Sequence, residues 1–390
     1  MSEINATAKQ KDRKETLKSR ERVIRSISHK PVDRVPIDFG MHFSSGISAF
    51  AYWNLREYLG LSTNNIEVPD MVQLLARVDE DILKRFHSDC MLLWPDWKER
   101  SSWNPRGKYN FMIPANAKPV LNPDGSWEII YKDTLIRMPD RGFFFDGGWP
   151  DFHEDAYEHR LDRLAIQAEK IYKETDYFTS FLTFGAFFSC DIEYMCNMLT
   201  EPDLIKETNE GWLEQEIKSA GVLIRKMGKN IQGIMLNSDL GTQSGPWIDP
   251  ELYKELCAPY LKRFCDFIHR NSDYKLILHT CGSIKPLIQT LIECGIDAIN
   301  PVQISANNMD PAELKHDFGD KITFWGGGCD TQRILNNGTP EDVRDNVKML
   351  MRIFKKNSGF VFNQVHNIMG DISPENIISM FDTAYEESFY

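Results

Sequence analysis

The feature that most constrains the fold is a repeated alternation of short apolar runs with longer helical patterns. Eight runs have the length and composition of buried strands, at residues 35–40, 90–94, 178–184, 231–236, 275–278, 298–300, 322–325 and 359–362. Repeated strand-then-helix order requires parallel pairing with right-handed crossovers. Eight such units in one chain predict an α/β protein with a closed (β/α)₈ TIM barrel, and a doubly wound open sheet is the alternative.

The segments between these runs carry helical periodicity. The predicted helices lie at residues 47–60, 69–86, 160–174, 191–228, 250–270, 283–294, 310–317, 340–356 and 374–388. No G-x-G-x-x-G follows the first run, and no G-x-x-x-x-G-K-[ST] occurs. The two common phosphate-binding fingerprints are therefore missing, which argues against a nucleotide-binding fold.

Two segments extend the predicted barrel domain, 35–390. Residues 1–34 form a predicted N-terminal helical arm, with a basic amphipathic helix near 17–29 that either packs on the barrel or contacts an acidic partner. Residues 95–160 form an insertion after the second strand, rich in Trp, Gly and Pro, with a hairpin that pairs 127–131 with 134–138. Insertions of this length usually build lids or substrate walls near the barrel mouth, although some only pack over a barrel end.

Composition excludes several classes of protein. The net charge of -12 argues against a general nucleic-acid binder, and no apolar run reaches the length of about 20 residues that spans a bilayer. The polar start has no signal-peptide pattern, so we expect a cytoplasmic protein. The eight cysteines show no disulfide-scaffold spacing and are expected to be reduced thiols.

The fifth predicted strand ends in a histidine and a cysteine one residue apart. His279 and Cys281 follow the apolar run 275–278. Residues i and i+2 of an extended segment point the same way, so imidazole and thiolate can bind one ion, and this pair suits Zn²⁺. Taken alone, such a pair is more often part of a packed core than a metal site.

Other metal-competent side chains follow neighbouring strands. Asp239 follows the fourth strand, Cys329 the seventh and His366 the eighth. Because strand ends meet at one barrel mouth, we expect these residues near His279 and Cys281. A catalytic zinc needs three protein ligands, so the third is Cys329 as first choice or His366. Asp239 is then a fourth ligand, a residue that orients His279, or the cap of the following helix.

Aromatic and amide side chains around the same mouth suggest a pocket for an aromatic substrate. The candidate substrate-binding residues are Phe184, Trp247, Gln243, Trp325 and Asn300. Many of the aromatic residues in this region must nevertheless belong to the core.

Motifs along nearly the whole chain resemble the uroporphyrinogen decarboxylase superfamily. They are Glu21-Arg22-Val23, the run from Lys30-Pro31-Val32-Asp33-Arg34 to Val35-Pro36, and Ser373-Pro374-Glu375-Asn376. The branch most similar is that of the cobalamin-dependent methyltransferases. These barrels bind zinc through an H-x-C motif and a distant cysteine, and His279 and Cys281 of this chain match the H-x-C motif. That cysteine lies after the last strand, where this chain has His366. The decarboxylases also carry arginines just after the first strand, and none occurs at 39–45 here.

The resemblance implies a zinc-dependent methyltransferase that moves a methyl group from a methoxylated, aromatic small molecule to the Co(I) of a cobalamin (corrinoid) held by a partner protein. In this O-demethylase reaction Asp239 or His366 would donate a proton. A reaction in the other direction, towards a thiol or folate acceptor, stays open, and so does a homodimer. The alternatives are a metal-free decarboxylase-like lyase that uses Asp239 and His366, and a non-enzymatic barrel that binds a corrinoid or a methylated ligand.

Overall fold

The computed structural model describes residues 14–390, which form twelve α-helices and twelve strands. The helices are α1 Ser19–Ile27, α2 Ala49–Tyr58, α3 Glu80–Arg85, α4 Tyr157–Glu174, α5 Ile192–Thr200, α6 Pro202–Met227, α7 Pro250–Leu256, α8 Ala258–Asn271, α9 Lys285–Cys294, α10 Pro311–Phe318, α11 Pro340–Phe354 and α12 Pro374–Ser388. The strands are β1 Ile66–Glu67, β2 Arg100–Trp103, β3 Phe111–Pro114, β4 Val120–Leu121, β5 Trp127–Tyr131, β6 Thr134–Met138, β7 Ser180–Gly185, β8 Gly233–Asn237, β9 Lys275–His279, β10 Ala298–Asn300, β11 Thr323–Trp325 and β12 Phe360–Val361.

Six of these strands form one parallel sheet. Its order is β12-β11-β10-β9-β8-β7, so each strand pairs with its neighbours in the chain, and helices cover the connections. The register aligns Asn237, His279 and Asn300, the last residues of β8, β9 and β10. Because carboxyl ends of parallel strands share an edge, this register fixes which side chains meet at the mouth.

Two short extended segments close the sheet into a ring. Ile37 bridges Phe362 just after β12, and the N–H of Asp89 donates to the carbonyl of Ile37 at 2.7 Å. Cys90 in turn bridges Phe178, just before β7. The eight predicted strand positions thus form a continuous hydrogen-bonded circuit, which confirms the (β/α)₈ fold class over the doubly wound sheet.

The first two predicted strands are single bridges rather than full strands. Pro36 has no N–H to donate to a ladder, and the N–H of Ile37 donates to the carboxylate of Asp89 at 2.8 Å. Strand pairing is therefore limited at this point of the ring.

Three predicted helices differ from the observed ones. In 69–86 only α3 is α-helical, because the carboxylate of Asp70 accepts the N–H groups of Val72 and Gln73 and favours a turn. The predicted helix 191–228 divides at Pro202 into α5 and α6. The predicted helix 250–270 divides into α7 and α8 just before Pro259. Proline cannot donate the backbone hydrogen bond that a continuous helix requires.

The insertion folds into β structure beside the barrel mouth. The predicted hairpin is confirmed, since β5 and β6 pair antiparallel over 127–131 and 134–138. The segment contributes β2 to β6 to two small sheets, β1-β3-β2 and β4-β5-β6, and α4 begins at Tyr157. Trp97 and residues 149–153 of this insertion line the cavity described below.

Helix α1 packs against the inside of the barrel. Val23 and Ile27 are buried in one cluster with barrel residues such as Met235 and Ile277. The hydroxyl of Ser26 donates to the carbonyl of Phe360 in β12 at 2.8 Å. The helix thus has a packing role. The division into an arm, 1–34, and a barrel domain, 35–390, stays a prediction, and residues 1–13 lie outside the described residues.

No helix within residues 14–390 combines the length and apolar character that crossing a membrane requires.

Candidate active site

Three predicted site residues come together at the barrel mouth. Ligand atoms of His279, Cys281 and His366 all lie within 4.8 Å of one another. The Nε2 of His279 is 3.7 Å from the Sγ of Cys281. Tetrahedral zinc at ordinary bond lengths separates a nitrogen and a sulfur ligand by about 3.6 Å. The spacing of His279 and Cys281 therefore fits a shared zinc ion, and His366 lies close enough to be a third ligand candidate.

Hydrogen bonds hold the ring of His279. Its Nδ1 lies 3.2 Å from the Oδ1 of Asn300, and the Nδ2 of Asn300 donates to the carbonyl of Trp325 at 3.3 Å. Since this places the amide oxygen of Asn300 towards the ring, the hydrogen of His279 lies on Nδ1. The lone pair then lies on Nε2, the atom that faces Cys281, which is the tautomer a metal ligand needs.

Burial sets the protonation of the cluster. Desolvation lowers the pKa of His279, and it lowers the pKa of His366 to about 4, so both rings are neutral at pH 7. Burial also raises the pKa of the Cys281 thiol, with a further contribution from Asp239. Two neutral imidazoles and a thiol that a metal can deprotonate are a chemically suitable zinc donor set.

The ring of His366 has one competing contact. Its Nδ1 accepts the backbone N–H of Asn367 at 2.9 Å, and the residue has a φ of 62°. If Nε2 of His366 bound a metal, the ring hydrogen would lie on Nδ1, and the hydrogen bond from Asn367 would be lost. If His366 instead donated a proton through Nε2–H, this hydrogen bond would remain. The roles of metal ligand and proton donor thus require different tautomers of the ring.

Asp239 lies beside the cluster. Its Oδ1 accepts the backbone N–H of Cys281 at 2.9 Å and is 3.7 Å from the Nε2 of His279. The side chain is 48% exposed, so it also faces the cavity. The cap of α7 is Asp249, whose carboxylate accepts two N–H groups of that helix. The predicted capping role of Asp239 is therefore wrong.

A cavity of about 630 Å³ opens above the cluster. Its walls come from the barrel mouth and from the insertion, and aromatic rings occupy much of them: Phe43, Trp94, Trp97, Trp149 and Phe152. Asp70, Asp239, His279 and His366 also line it. A small apolar ring with a few polar substituents fits such a space.

His42 completes the cluster and was not among the predicted site residues. Its ring centroid is 5.5 Å from that of His279. The Nδ1 of His42 lies 2.7 Å from the hydroxyl oxygen of Ser44 and 3.0 Å from the backbone nitrogen of the same residue. Burial lowers the pKa of His42 well below the usual range, so the ring is neutral. The sequence could have indicated His42, because this residue follows the first predicted strand and active-site residues of a barrel follow the carboxyl ends of its strands.

Comparison with known families finds a similarity in the second half of the chain. Residues 231–387 match the sequence model of the family described as "Uroporphyrinogen decarboxylase (URO-D)", and this stretch includes His279, Cys281 and His366. The similarity covers less than half of the chain.

Curated uroporphyrinogen decarboxylases match part of the chain at low identity. The enzyme of Chlorobaculum tepidum is 24% identical over 139 residues, which are 35% of this chain and 38% of that protein. The enzyme of Pseudoalteromonas translucida is 28% identical over 146 residues, 37% of this chain and 39% of that protein. The enzyme of Chlorobium phaeobacteroides is 23% identical over 185 residues, 45% of this chain and 51% of that protein. The matches thus span about half of these relatives or less.

One solved structure shares the fold over nearly the full length. A methyltransferase from Methanosarcina mazei superposes with a TM-score of 0.60 and covers 95% of this chain and 99% of its own. The two sequences are 14% identical, so the likeness concerns the fold. The stretch 231–387 and the segment before it therefore belong to one barrel.

The structure places Cys329 outside the group formed by His279, Cys281 and His366. This residue is fully buried in the hydrophobic core, and its carbonyl accepts the N–H of Val365 at 3.0 Å. The glycine turn 326–328 after β11 precedes it, with positive φ at Gly326 and Gly327. We take this glycine turn as the reason why the thiol of Cys329 faces the core. The third side chain beside His279 and Cys281 at the barrel mouth is His366.

None of the five predicted substrate-binding residues lines the cavity. Asn300 lies behind His279, and Trp325 is fully buried and donates to Asp38 at 2.9 Å. Phe184 packs on Phe181 and Phe264, away from the mouth. Gln243 ties its loop to the carbonyl of Ser305, and Trp247 is 45% exposed. The wall instead uses residues of the insertion, whose packing no strand-end rule predicts.

Proposed function

We propose that this protein is a zinc-dependent methyltransferase that transfers the methyl group of a methoxylated aromatic compound to the Co(I) of a corrinoid carried by a partner protein. The observation that carries the proposal is the convergence of His279, Cys281 and His366 at the base of an aromatic-walled cavity. The full-length fold likeness to a methyltransferase is compatible with it.

The proposed reaction is a balanced group transfer. The corrinoid of the partner protein would accept the methyl carbon as its bond to the ether oxygen breaks, and Co(I) would supply the electron pair of the new bond. The aryl oxygen keeps the electrons of the broken bond and takes up a proton. Zinc bound by His279, Cys281 and His366 would act as a Lewis acid on the ether oxygen, an effect that contributes several kcal/mol in metalloenzymes.

The chain's own groups orient the substrate and handle the proton. The neutral ring of His42, held through its Nδ1 by Ser44, lies beside His279 and can contact the substrate. Asp239 lies at the open side of the cluster and can supply or relay the proton that the departing oxygen takes up. Phe43 and Trp94, which contact each other edge to face at 4.7 Å, would position the aromatic ring and exclude water.

Metal content tests the proposal directly. We expect near-stoichiometric zinc in the purified protein by mass spectrometry, loss of zinc in Cys281→Ala and His366→Ala, and retention in Cys329→Ala, because that thiol lies in the core. Zinc retained in His366→Ala with transfer lost would assign this residue as a proton donor instead. Metal-free wild-type protein would contradict the proposal and favour the decarboxylase-like lyase.

A second prediction concerns Asn300, which we propose positions His279. Asn300→Ala should weaken zinc binding by about 10–100-fold, the usual effect of losing a residue that orients a ligand. Competition with a chelator measures the affinity. Asn300→Asp keeps an acceptor for the Nδ1–H of His279 and should retain most of the zinc affinity. Asn237→Ala is the matched control, because Asn237 lies at the same register on β8. Equal affinities in all three variants would contradict the positioning role.

A further inference from the structure

Three unpartnered nitrogen atoms lie together at the outer wall of the cavity. Within residues 14–390, the Nε1 of Trp94, the Nε2 of His153 and the Nε of Arg160 are buried and have no hydrogen-bond partner. All three side chains line the main cavity and a smaller neighbouring one of about 180 Å³. Buried polar groups without partners are rare in folded proteins, so this cluster indicates a missing ligand group.

The residues of this cluster are held close to one another. Asp151 accepts the backbone N–H of His153 at 3.0 Å and the Nη1 of Arg160 at 2.7 Å. The rings of Trp94 and His153 are 5.8 Å apart. His153 is only 8% exposed, and burial lowers its pKa to about 4, so its ring is neutral and has one N–H to donate.

The chemistry of these atoms restricts the partner. The nitrogen atoms of tryptophan and arginine side chains only donate, so the missing group is an acceptor. The Nη1 of Arg160 donates to Asp151, and the Nε is left to donate to a second anion. A planar carboxylate is the anion that an arginine edge and ring N–H groups bind best.

The same wall leads from this cluster to the proposed zinc ligands. Neighbouring rings of His279, His42, Phe43, Trp94 and His153 follow one another with centroid separations of 5.5, 6.4, 4.7 and 5.8 Å. An aromatic ring in the cavity can therefore direct one substituent to the mouth cluster and another to the insertion.

We propose that Arg160, His153 and Trp94 form a carboxylate subsite, and that the substrate is a methoxylated aromatic acid. This inference rests on the proposed function for the methoxy group, whereas the subsite itself depends only on the cavity wall. The three nitrogen atoms are covered by neighbouring groups, so binding of the carboxylate requires the side chains of Arg160 and His153 to turn. The smaller cavity, which both residues line, provides room for this change.

Direct binding tests the subsite without turnover. Calorimetry would compare 4-methoxybenzoate with the neutral 4-methoxybenzamide on the full chain. We expect the acid to bind more tightly, and Arg160→Gln to weaken the acid by about 10–100-fold, as for hydrogen bonds to a charged group, with less than a threefold effect on the amide. Trp94→Phe keeps the ring without its N–H and should weaken the acid alone.

A matched control lies one turn further along α4. Arg163 also has a buried, unpartnered Nε and pairs with Asp155, yet it lines neither cavity. Arg163→Gln should leave both affinities unchanged. Equal affinity of acid and amide, or equal effects of Arg160→Gln and Arg163→Gln, would overturn the subsite. Repeating the titration in Cys281→Ala separates it from the proposed function, because the preference for the acid should persist without zinc.

Discussion

Replacement of Arg22 by Met is expected to lower the free energy of unfolding by about 3–5 kcal/mol, the usual effect of breaking a buried ion pair from one side. The Arg22 side chain is fully buried in α1, and its guanidinium donates to Asp33 at 2.7 Å and to Asp89 at 2.5 Å. Arg34 still contacts Asp89 in the variant, at 2.7 Å. Asp33, 7% exposed, would lose its principal cation.

Urea unfolding followed by tryptophan fluorescence measures this loss. Arg25→Met is the matched control on the same helix, because Arg25 is 36% exposed. Its ion pair is with Glu21 at 3.3 Å, and its Nε donates to the carbonyl of Pro31 at 2.9 Å. That exposed pair should contribute less than about 1 kcal/mol. Similar urea midpoints for the two variants would show that the buried network does not anchor α1 to the barrel.

Acid should reduce the difference between wild type and Arg22→Met. Burial raises the pKa of Asp33, but hydrogen bonds from Arg22 and from the N–H groups of Leu17 and Thr16 outweigh it, so the pKa lies below its usual range. A carboxyl with a depressed folded-state pKa stabilises the fold above its unfolded pKa of about 3.9, and this contribution is lost as the pH falls towards the folded value. We therefore expect the two stability curves to converge below about pH 4.

The fold was predictable because alternation of apolar runs and helices is a property of the whole chain. Each helix from α9 to α12 lies where its periodicity predicts it, and so does the hairpin of β5 and β6. The first two strands were harder, since a side-chain carboxylate, Asp89, takes the N–H of Ile37 in place of a strand carbonyl. The hydrogen bond from Ile37 to Asp89 depends on a tertiary contact between segments about fifty residues apart.

The site was predictable only where local geometry determines it. His279 and Cys281 are two residues apart at a strand end, and their ligand atoms do point the same way. The choice between Cys329 and His366 depends on how glycine turns after β11 orient the following residue, which the sequence pattern does not show. The wall residues Trp149, His153 and Arg160 come from an insertion whose placement over the mouth is set by packing alone.

The largest effect on activity is expected from Cys281→Ser. A serine hydroxyl does not replace the thiolate as a soft zinc ligand, so the Lewis-acid contribution is lost. If that contribution is about 4 kcal/mol, methyl transfer should slow by about a thousandfold, since each 1.36 kcal/mol changes the rate tenfold. The assay follows methylcobalamin formation by absorbance, with free cob(I)alamin as acceptor and 4-methoxybenzoate as donor.

Cys329→Ser separates a ligand effect from a general effect of losing a thiol. The Cys329 side chain is buried in the core and lies outside the ligand group, so this variant should transfer methyl groups at a rate within a few fold of wild type once folding is verified by circular dichroism. A thousandfold loss in Cys329→Ser with normal activity in His366→Ala would instead make Cys329 the third ligand. Full activity in Cys281→Ser would exclude zinc from the chemical step, because no other residue at this mouth offers a thiolate within ligand distance of His279 in the described part of the chain.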